Sequence, residues 1–405
     1  MEDRTGGRPG GWTDIRSASG QGQLRCRPPV RTWRLGEYST NLAGVLFTTP
    51  TPSDALAPQL RELDALRARL GDATGVAGPS LGELRRQVRA STMEGSVSIE
   101  GFHVPAGEGP GIVSGTTVPD TADTGPMALA SYARAMDHVG TMAVDPHFRW
   151  SDRVILDLHF DTCAFQRDRS PGLWRTGPIY VTSPSGGPPA YTGPDADDVP
   201  ELMGEVVDWL QDGDRDAHVV VRAAMTHLHV VSVHPFADGN GRVARIAQSL
   251  VLARAGLLAP EFSSIEEYLG RNTGDYYRVL QQVQGGSYQP DRDAAPWVHF
   301  CVTAHIHQAR ARLDQIAIAT TRWAALEKLV EPRGWPDRLV IALEQSLFEG
   351  IERKAYAVEA DVSPATATTD LRRLVDAGLI ARHGRTRSTK YVASEELRQQ
   401  VRSRD

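Results

Sequence analysis

The sequence predicts a mainly α-helical protein, with a short β-hairpin inserted in the helical core and a C-terminal α+β module of the winged helix-turn-helix kind. Three observations carry this. Apolar residues recur at spacings of three and four along most of residues 54–310. Before residue 378, strand-like alternation is confined to 179-IYVTSP and 189-PAYTGP, each bounded by breakers. After residue 336, two helical patterns flank a Ser363-Pro364 turn, and two short apolar pairs follow.

Residues 1–35 are rich in Gly, Pro, Arg and Ser and read as a loosely ordered N-terminal segment. An N-terminal helical region is expected over 36–126. In its first helix Leu56, Leu60, Leu63, Leu66 and Leu70 share one face. The second starts near Ser80, where Glu83 three residues on suggests a capping box. Residues 104–126 read as a Gly/Pro/Thr-rich loop. A core follows over 127–312, with helices near 127–143, 151–165, 199–211, 216–233, 240–256, 263–272, 274–286 and 294–313. The hairpin lies between the second and third of these. A helical linker over 313–335 and the C-terminal module over 336–405 complete the chain.

The chain has 405 residues, 40% apolar and 23% charged, with a net charge of −6. That is an ordinary soluble composition and argues against a generally basic nucleic-acid binder. Cys26, Cys163 and Cys301 are far apart, so no disulfide framework and no zinc motif is present. No apolar N-terminal leader and no 18-residue apolar run appear; a cytoplasmic protein without a membrane span is expected.

The stretch 234-HPFADGNGRVAR carries the chemistry. An apolar helical pattern ends at His234, because Pro235 disfavours helical backbone before it. A second begins near Gly241, with Val243, Ile246, Ala247, Leu250 and Val251 on its buried face. The Gly239-Asn240-Gly241 turn therefore sits at a helix N-terminus, where unpaired N–H groups and the helix dipole favour an anion. Asp238 suits Mg²⁺, a hard cation that joins carboxylates to phosphates. Arg242 and Arg245, three apart, can clamp phosphate oxygens. His234 can take a proton near neutral pH. Phe236 is expected to point into the core and pin the loop.

These residues resemble the Fic family signature His-x-Phe-x-Asp/Glu-Gly-Asn-Gly-Arg-x-x-Arg at every specified position. Gly172, Leu173 and Arg175 resemble the lead-in to the family's flap, and His227 sits where many members have a histidine. The resemblance covers about residues 80–310 and implies a Fic-type helical core with the hairpin as flap. It implies transfer of AMP from ATP to a Ser, Thr or Tyr hydroxyl of a target protein. His234 would be the general base and Asp238 the Mg²⁺ ligand. Gly239, Asn240 and Gly241 would form the anion hole, and Arg242 and Arg245 would hold the β- and γ-phosphates. Asn272, Tyr276 and Tyr277 lie where the family contacts adenine, though both Tyr positions also fit core residues. Phosphorylating members carry Lys where this chain has Gly241, which favours nucleotidyl transfer.

The segment 91-STMEGSVSIEG resembles the family's inhibitory Ser/Thr-x-x-x-Glu-Gly/Asn motif through Ser96, Glu100 and Gly101. Glu94 also precedes Gly, but the residue four before it is Ala90. The resemblance implies that Glu100 pairs with Arg245 and takes the γ-phosphate position; a solvated helix-end acid is the plain alternative. In some relatives the same glutamate serves AMP removal, so a de-AMPylase stays open, as does transfer of another group.

In the C-terminal module Leu371, Leu374 and Val375 form a core face, Gly378 a stop, and Leu379-Ile380 with Tyr391-Val392 the wing strands. Residues 353–392 hold eight Arg/Lys against four Asp/Glu, with Arg385, Arg387 and Lys390 near the wing and Arg372 and Arg373 on the second helix. DNA is a candidate partner, although Thr366, Thr368 and Thr369 read bases poorly. A transcriptional regulator using the core as a nucleotide sensor is the rival reading. A homodimer is a state many relatives adopt; no pattern here specifies it.

Overall fold

The computed structural model describes residues 45–181, 189–257, 260–348, 350–384 and 389–402. The N-terminal segment 1–35, the tip of the expected flap and Arg385 and Arg387 lie outside these residues. The described chain is mostly helical with two small antiparallel sheets. No described helix is long and apolar enough to cross a membrane.

Helix α1 (Leu56–Ala77) buries the five expected leucines. Each fully buried leucine contributes on the order of 2 kcal/mol. Helix α2 (Gly82–Ile99) follows a 3₁₀ turn, Gly78–Leu81. The expected capping box does not form. The 3₁₀ turn absorbs Ser80, whose hydroxyl donates back to the Ala77 carbonyl at 2.7 Å. Glu83 instead accepts from the side chains of Arg86 and Gln87. Within the expected loop a short helix α3 (Gly109–Val113) forms, because Ile112 and Val113 are buried with Met93 and Val97 of α2.

Helices α4 (Thr124–Val144) and α5 (Asp152–Cys163) start at side-chain caps, Asp123 accepting from Gly125 N–H and Ser151 from Val154 N–H. The flap strands β1 (Tyr180–Val181) and β2 (Tyr191–Thr192) pair antiparallel, Tyr180 opposite Thr192. Then come α6 (Val199–Asp212), α7 (Val219–Val233), α8 (Asn240–Arg254), α9 (Pro260–Ser263), α10 (Glu266–Arg271) and α11 (Thr273–Gln284). From Val220 to Val233 every α7 residue except Arg222 is buried, so this helix is the axis of the fold.

Helix α12 (Ala295–Val330) runs unbroken for 36 residues and passes through most of the expected linker. Its first half packs with α1, α7 and α11 in one apolar core. A second core joins α2, α4, α5 and α8. The end of α12 lends Leu326, Leu329 and Val330 to a third, C-terminal core. There the order is α13 (Leu339–Ser346), β3 (Ile351–Glu352), α14 (Arg353–Glu359), α15 (Pro364–Asp376), β4 (Ile380–His383), β5 (Lys390–Ala393) and α16 (Glu395–Arg402). Strand β5 lies between β3 and β4, with Ile351 opposite Tyr391 and Ile380 opposite Ala393.

Candidate active site

The corner between α7 and α8 opens onto a cavity of about 510 Å³. Glu100, the flap residues Tyr180, Val181 and Tyr191, the corner residues His234, Asp238, Gly239, Asn240 and Gly241, and Tyr276, Tyr277 and Gln281 of α11 all line it. Helix α7 ends where His234 turns to a positive φ of 52°. Arg175 fixes that strained turn: its Nε donates to the His234 carbonyl at 2.8 Å and its backbone N–H to the Pro235 carbonyl at 2.9 Å.

His234 Nδ1 faces the Val231 carbonyl at 2.8 Å, so that nitrogen carries the proton and Nε2 keeps its lone pair. Burial pulls the imidazole below its ordinary value, against the opposing effects of the Val231 bond and the Glu100 charge. The ring is neutral at pH 7. Phe236 is fully buried and stacks on His159, with ring centroids 3.7 Å apart. The loop is stapled from within: Phe236 N–H donates to Asn240 Oδ1 at 2.8 Å, and Asn240 Nδ2 to the Phe236 carbonyl at 2.9 Å. The Asn240 side chain is thus spent on the loop, and only its backbone N–H is left for an anion.

Gly239 has a φ of 78°, and an added Cβ there would lie 2.4 Å from Cys163 Sγ and 3.3 Å from Arg242 Nη2. A Cβ at Gly241 would lie 2.3 Å from Glu100 Oε1 and 3.1 Å from Arg245 Nη1. Each glycine is the gap through which a guanidinium approaches the turn. Neither arginine lines the cavity; both are fully buried beneath it. Arg242 Nε and Nη1 and Arg245 Nη1 have no hydrogen-bond partner, an arrangement proteins rarely leave.

The two arginines, three apart, are held by different elements. Arg245 Nε donates to Ser96 Oγ at 2.7 Å, and its Nη2 to the Ser96 carbonyl at 3.0 Å and to Glu100 Oε1 at 2.8 Å. Burial works against its charge, but Glu100 and the neighbouring tyrosines outweigh that and hold the guanidinium above its ordinary value. Arg242 lies over the rings of Phe102, at 5.1 Å, and Phe165, at 5.9 Å. Glu100 caps the C-terminus of α2, and Gly101 makes the turn beyond with a φ of 82°.

Asp238 Oδ1 accepts from Gly239 N–H at 2.7 Å and Oδ2 from Gln166 Nε2 at 2.6 Å. Among the described residues no three His, Cys, Asp or Glu side chains form a metal cage. One carboxylate at the cavity fits a hard cation that takes its remaining ligands from phosphate and water.

Tyr276 is buried and its hydroxyl meets His227 Nε2 at 3.1 Å, so it belongs to the core and the cavity wall together. His227 donates from Nδ1 to Gln248 Oε1 at 2.9 Å, and burial pushes it down to about 3. Tyr277 is half exposed and donates to the Ile99 carbonyl at 3.2 Å. Asn272 is not brought to the cavity; its Nδ2 donates to the Tyr268 carbonyl at 2.8 Å at the end of α10.

Three positions escaped the sequence reading. His159 accepts from Gly172 N–H at 2.9 Å, so its Nε2 donates to the Asp238 carbonyl at 3.1 Å. Gln166 joins Asp238 to Arg242. Glu266, buried under α2, accepts from the Tyr132 hydroxyl at 2.7 Å, and burial pushes it up to about 7. None has a local sequence signal, since each works through partners far along the chain.

Comparison with known proteins places relatives beside this chain. Residues 150–252 match the model of the Fic/DOC family. The chain is 32% identical over 145 residues to protein adenylyltransferase fic-1 of Caenorhabditis briggsae and 28% identical over 137 residues to protein adenylyltransferase Fic of Nematostella vectensis. These matches cover 36% and 34% of this chain but only 26% and 29% of those relatives. A Fic family protein from Desulfovibrio desulfuricans G20 shares the fold, with a TM-score of 0.56 at 20% identity over 86% of this chain and 98% of that one. With the motif and the fold in agreement, the chain carries a Fic/DOC family domain over residues 150–252.

Proposed function

We propose that this chain is a protein adenylyltransferase, which moves AMP from ATP to a hydroxyl side chain of a target protein and is restrained by Glu100. One observation carries the reading: the free Nε2 of His234 and the glycine-turn amides belong to one cavity, above two guanidinium groups with unused donors. The names of the adenylyltransferase relatives support it.

The flap edge would hold the target segment by strand addition. As the target oxygen attacks the α-phosphorus, its proton passes to His234 Nε2. The bond from the α-phosphorus to the α,β-bridging oxygen breaks, and pyrophosphate leaves. The backbone amides of Asn240 and Gly241 and the spare N–H groups of Arg242 and Arg245 would meet the phosphate charge. A bound Mg²⁺, held by Asp238, would neutralise charge on the phosphates. Tyr276 and Tyr277 would border the base.

Glu100 would hold the enzyme off by competing for the same donors. Its carboxylate already takes Arg245 Nη2 and stands against Gly241, where a terminal phosphate would come. The test is label transfer to protein from ATP. With Glu100→Gly, label from α-³²P-ATP should enter protein and label from γ-³²P-ATP should not. Transfer of the γ label instead would make the chain a kinase and sink the proposal.

A further inference from the structure

We infer that Gln166 is a positioning residue that keeps the Asp238 carboxylate available to a divalent cation; this rests on the adenylyl-transfer reading above. Asp238, in the turn before α8, and Arg242, in the first turn of that helix, are opposite charges close enough to pair. Here Arg242 Nη2 and Asp238 Oδ2 form a long ion pair at 3.5 Å, without a direct hydrogen bond. The Gln166 amide bridges the gap. Its Oε1 accepts from Arg242 Nη2 at 3.0 Å, and its Nε2 donates to Asp238 Oδ2 at 2.6 Å. Only this orientation of the amide works, because the flipped one would set donor against donor and acceptor against acceptor.

Gln166 is itself held on both sides. Its N–H donates to the Cys163 carbonyl at 2.8 Å, and its carbonyl accepts from Arg169 N–H at 2.9 Å. Being neutral, it joins the two charges without cancelling either. Each Asp238 oxygen then has one lone pair engaged, by Gly239 N–H or by Gln166, and one left over. Asp238 also lines the cavity, so the spare lone pairs belong to a carboxylate within reach of a bound nucleotide. Without the amide, Arg242 can close on Asp238 and withdraw it.

The test uses Glu100→Gly protein with a non-hydrolysable ATP analogue and Mn²⁺ as probe, read by calorimetry and by the Mn²⁺ paramagnetic signal. Gln166→Met keeps the volume and removes both bonds. It should weaken Mn²⁺ binding by about ten-fold or more, as loss of a ligand's hydrogen-bond partner does. The Mg²⁺ concentration needed for half-maximal transfer should rise by the same factor, with most of the rate restored at saturating Mg²⁺. If Gln166→Met does not fold, Gln166→Asn, whose shorter amide cannot span both partners, is read the same way. Unchanged Mn²⁺ affinity in a folded variant, or a rate loss that Mg²⁺ does not restore, overturns the inference alone. A parent that neither binds Mn²⁺ with the analogue nor transfers label overturns it together with the site reading.

Discussion

The α7–α8 corner and the C-terminal module are both helix–turn–helix arrangements, but they treat buried charge in opposite ways. In the module, Asp370 is buried and answered in full: Arg338 Nε donates at 2.7 Å and the Tyr356 hydroxyl at 3.0 Å. Buried Glu344 is likewise answered, by Arg322 Nη2 at 3.2 Å, and the apolar cluster around them is mainly Leu, Val, Ile and Ala. At the corner, two arginines are buried with donors unused, and a histidine and a glycine, His234 and Gly239, take positive φ. Burying an unpartnered N–H costs about 1–3 kcal/mol. The module pairs its buried charge, whereas the corner forgoes stability and leaves buried donors unpaired.

This contrast breaks or sharpens with substitutions that separate turnover from folding. The largest effect is expected from His234→Ala in a Glu100→Gly background. Label transfer should fall by about 10²–10⁴-fold, while the melting temperature stays near that of the parent. In the module the weights reverse. Leu343 of α13 is fully buried in the C-terminal core, and Leu343→Ala should cost about 2–5 kcal/mol in denaturant unfolding, with transfer by the folded fraction retained. Gly239→Ala lies between, since its Cβ would meet Cys163 Sγ on backbone of positive φ. A loss of about 1–3 kcal/mol is expected, and transfer should fall with it.

The pH profile gives a finer test. Protonation removes the Nε2 lone pair, and burial holds the imidazole below its ordinary 6.5. The rate should therefore rise with pH through a value under 6.5 and be level at neutrality. A limb above 6.5 would contradict the assigned tautomer and base. The smallest effect is expected from Arg86→Ala, which breaks partly exposed pairs to Glu83 and Glu359. Surface pairs of this kind contribute at most about 1 kcal/mol.

Much of this was legible in the sequence, for reasons that differ by residue. The α1 leucines and the α7 and α8 faces were readable because helical periodicity is local. The corner was readable because its turn, carboxylate and arginines sit within twelve positions. The Glu100–Arg245 pair spans 145 positions and was reachable only through the family resemblance. Ser80 misled because capping-box spacing is satisfied equally by a 3₁₀ turn that uses the hydroxyl elsewhere. Asn272 is near α11 in sequence, but its amide is bonded to Tyr268 at the end of α10. His159 and Gln166 were silent because their partners arrive only with tertiary packing.

The unbroken run of α12 sets where this chain can be cut. A truncation at residue 335 separates Leu326, Leu329 and Val330 from the apolar cluster they complete. Expressed from 336 onward, the C-terminal piece would present that bare surface to water, and the remaining piece would trail a greasy stub. A fragment for separate study should begin well upstream, within the rod itself, and accept two or more extra turns of helix as part of the piece.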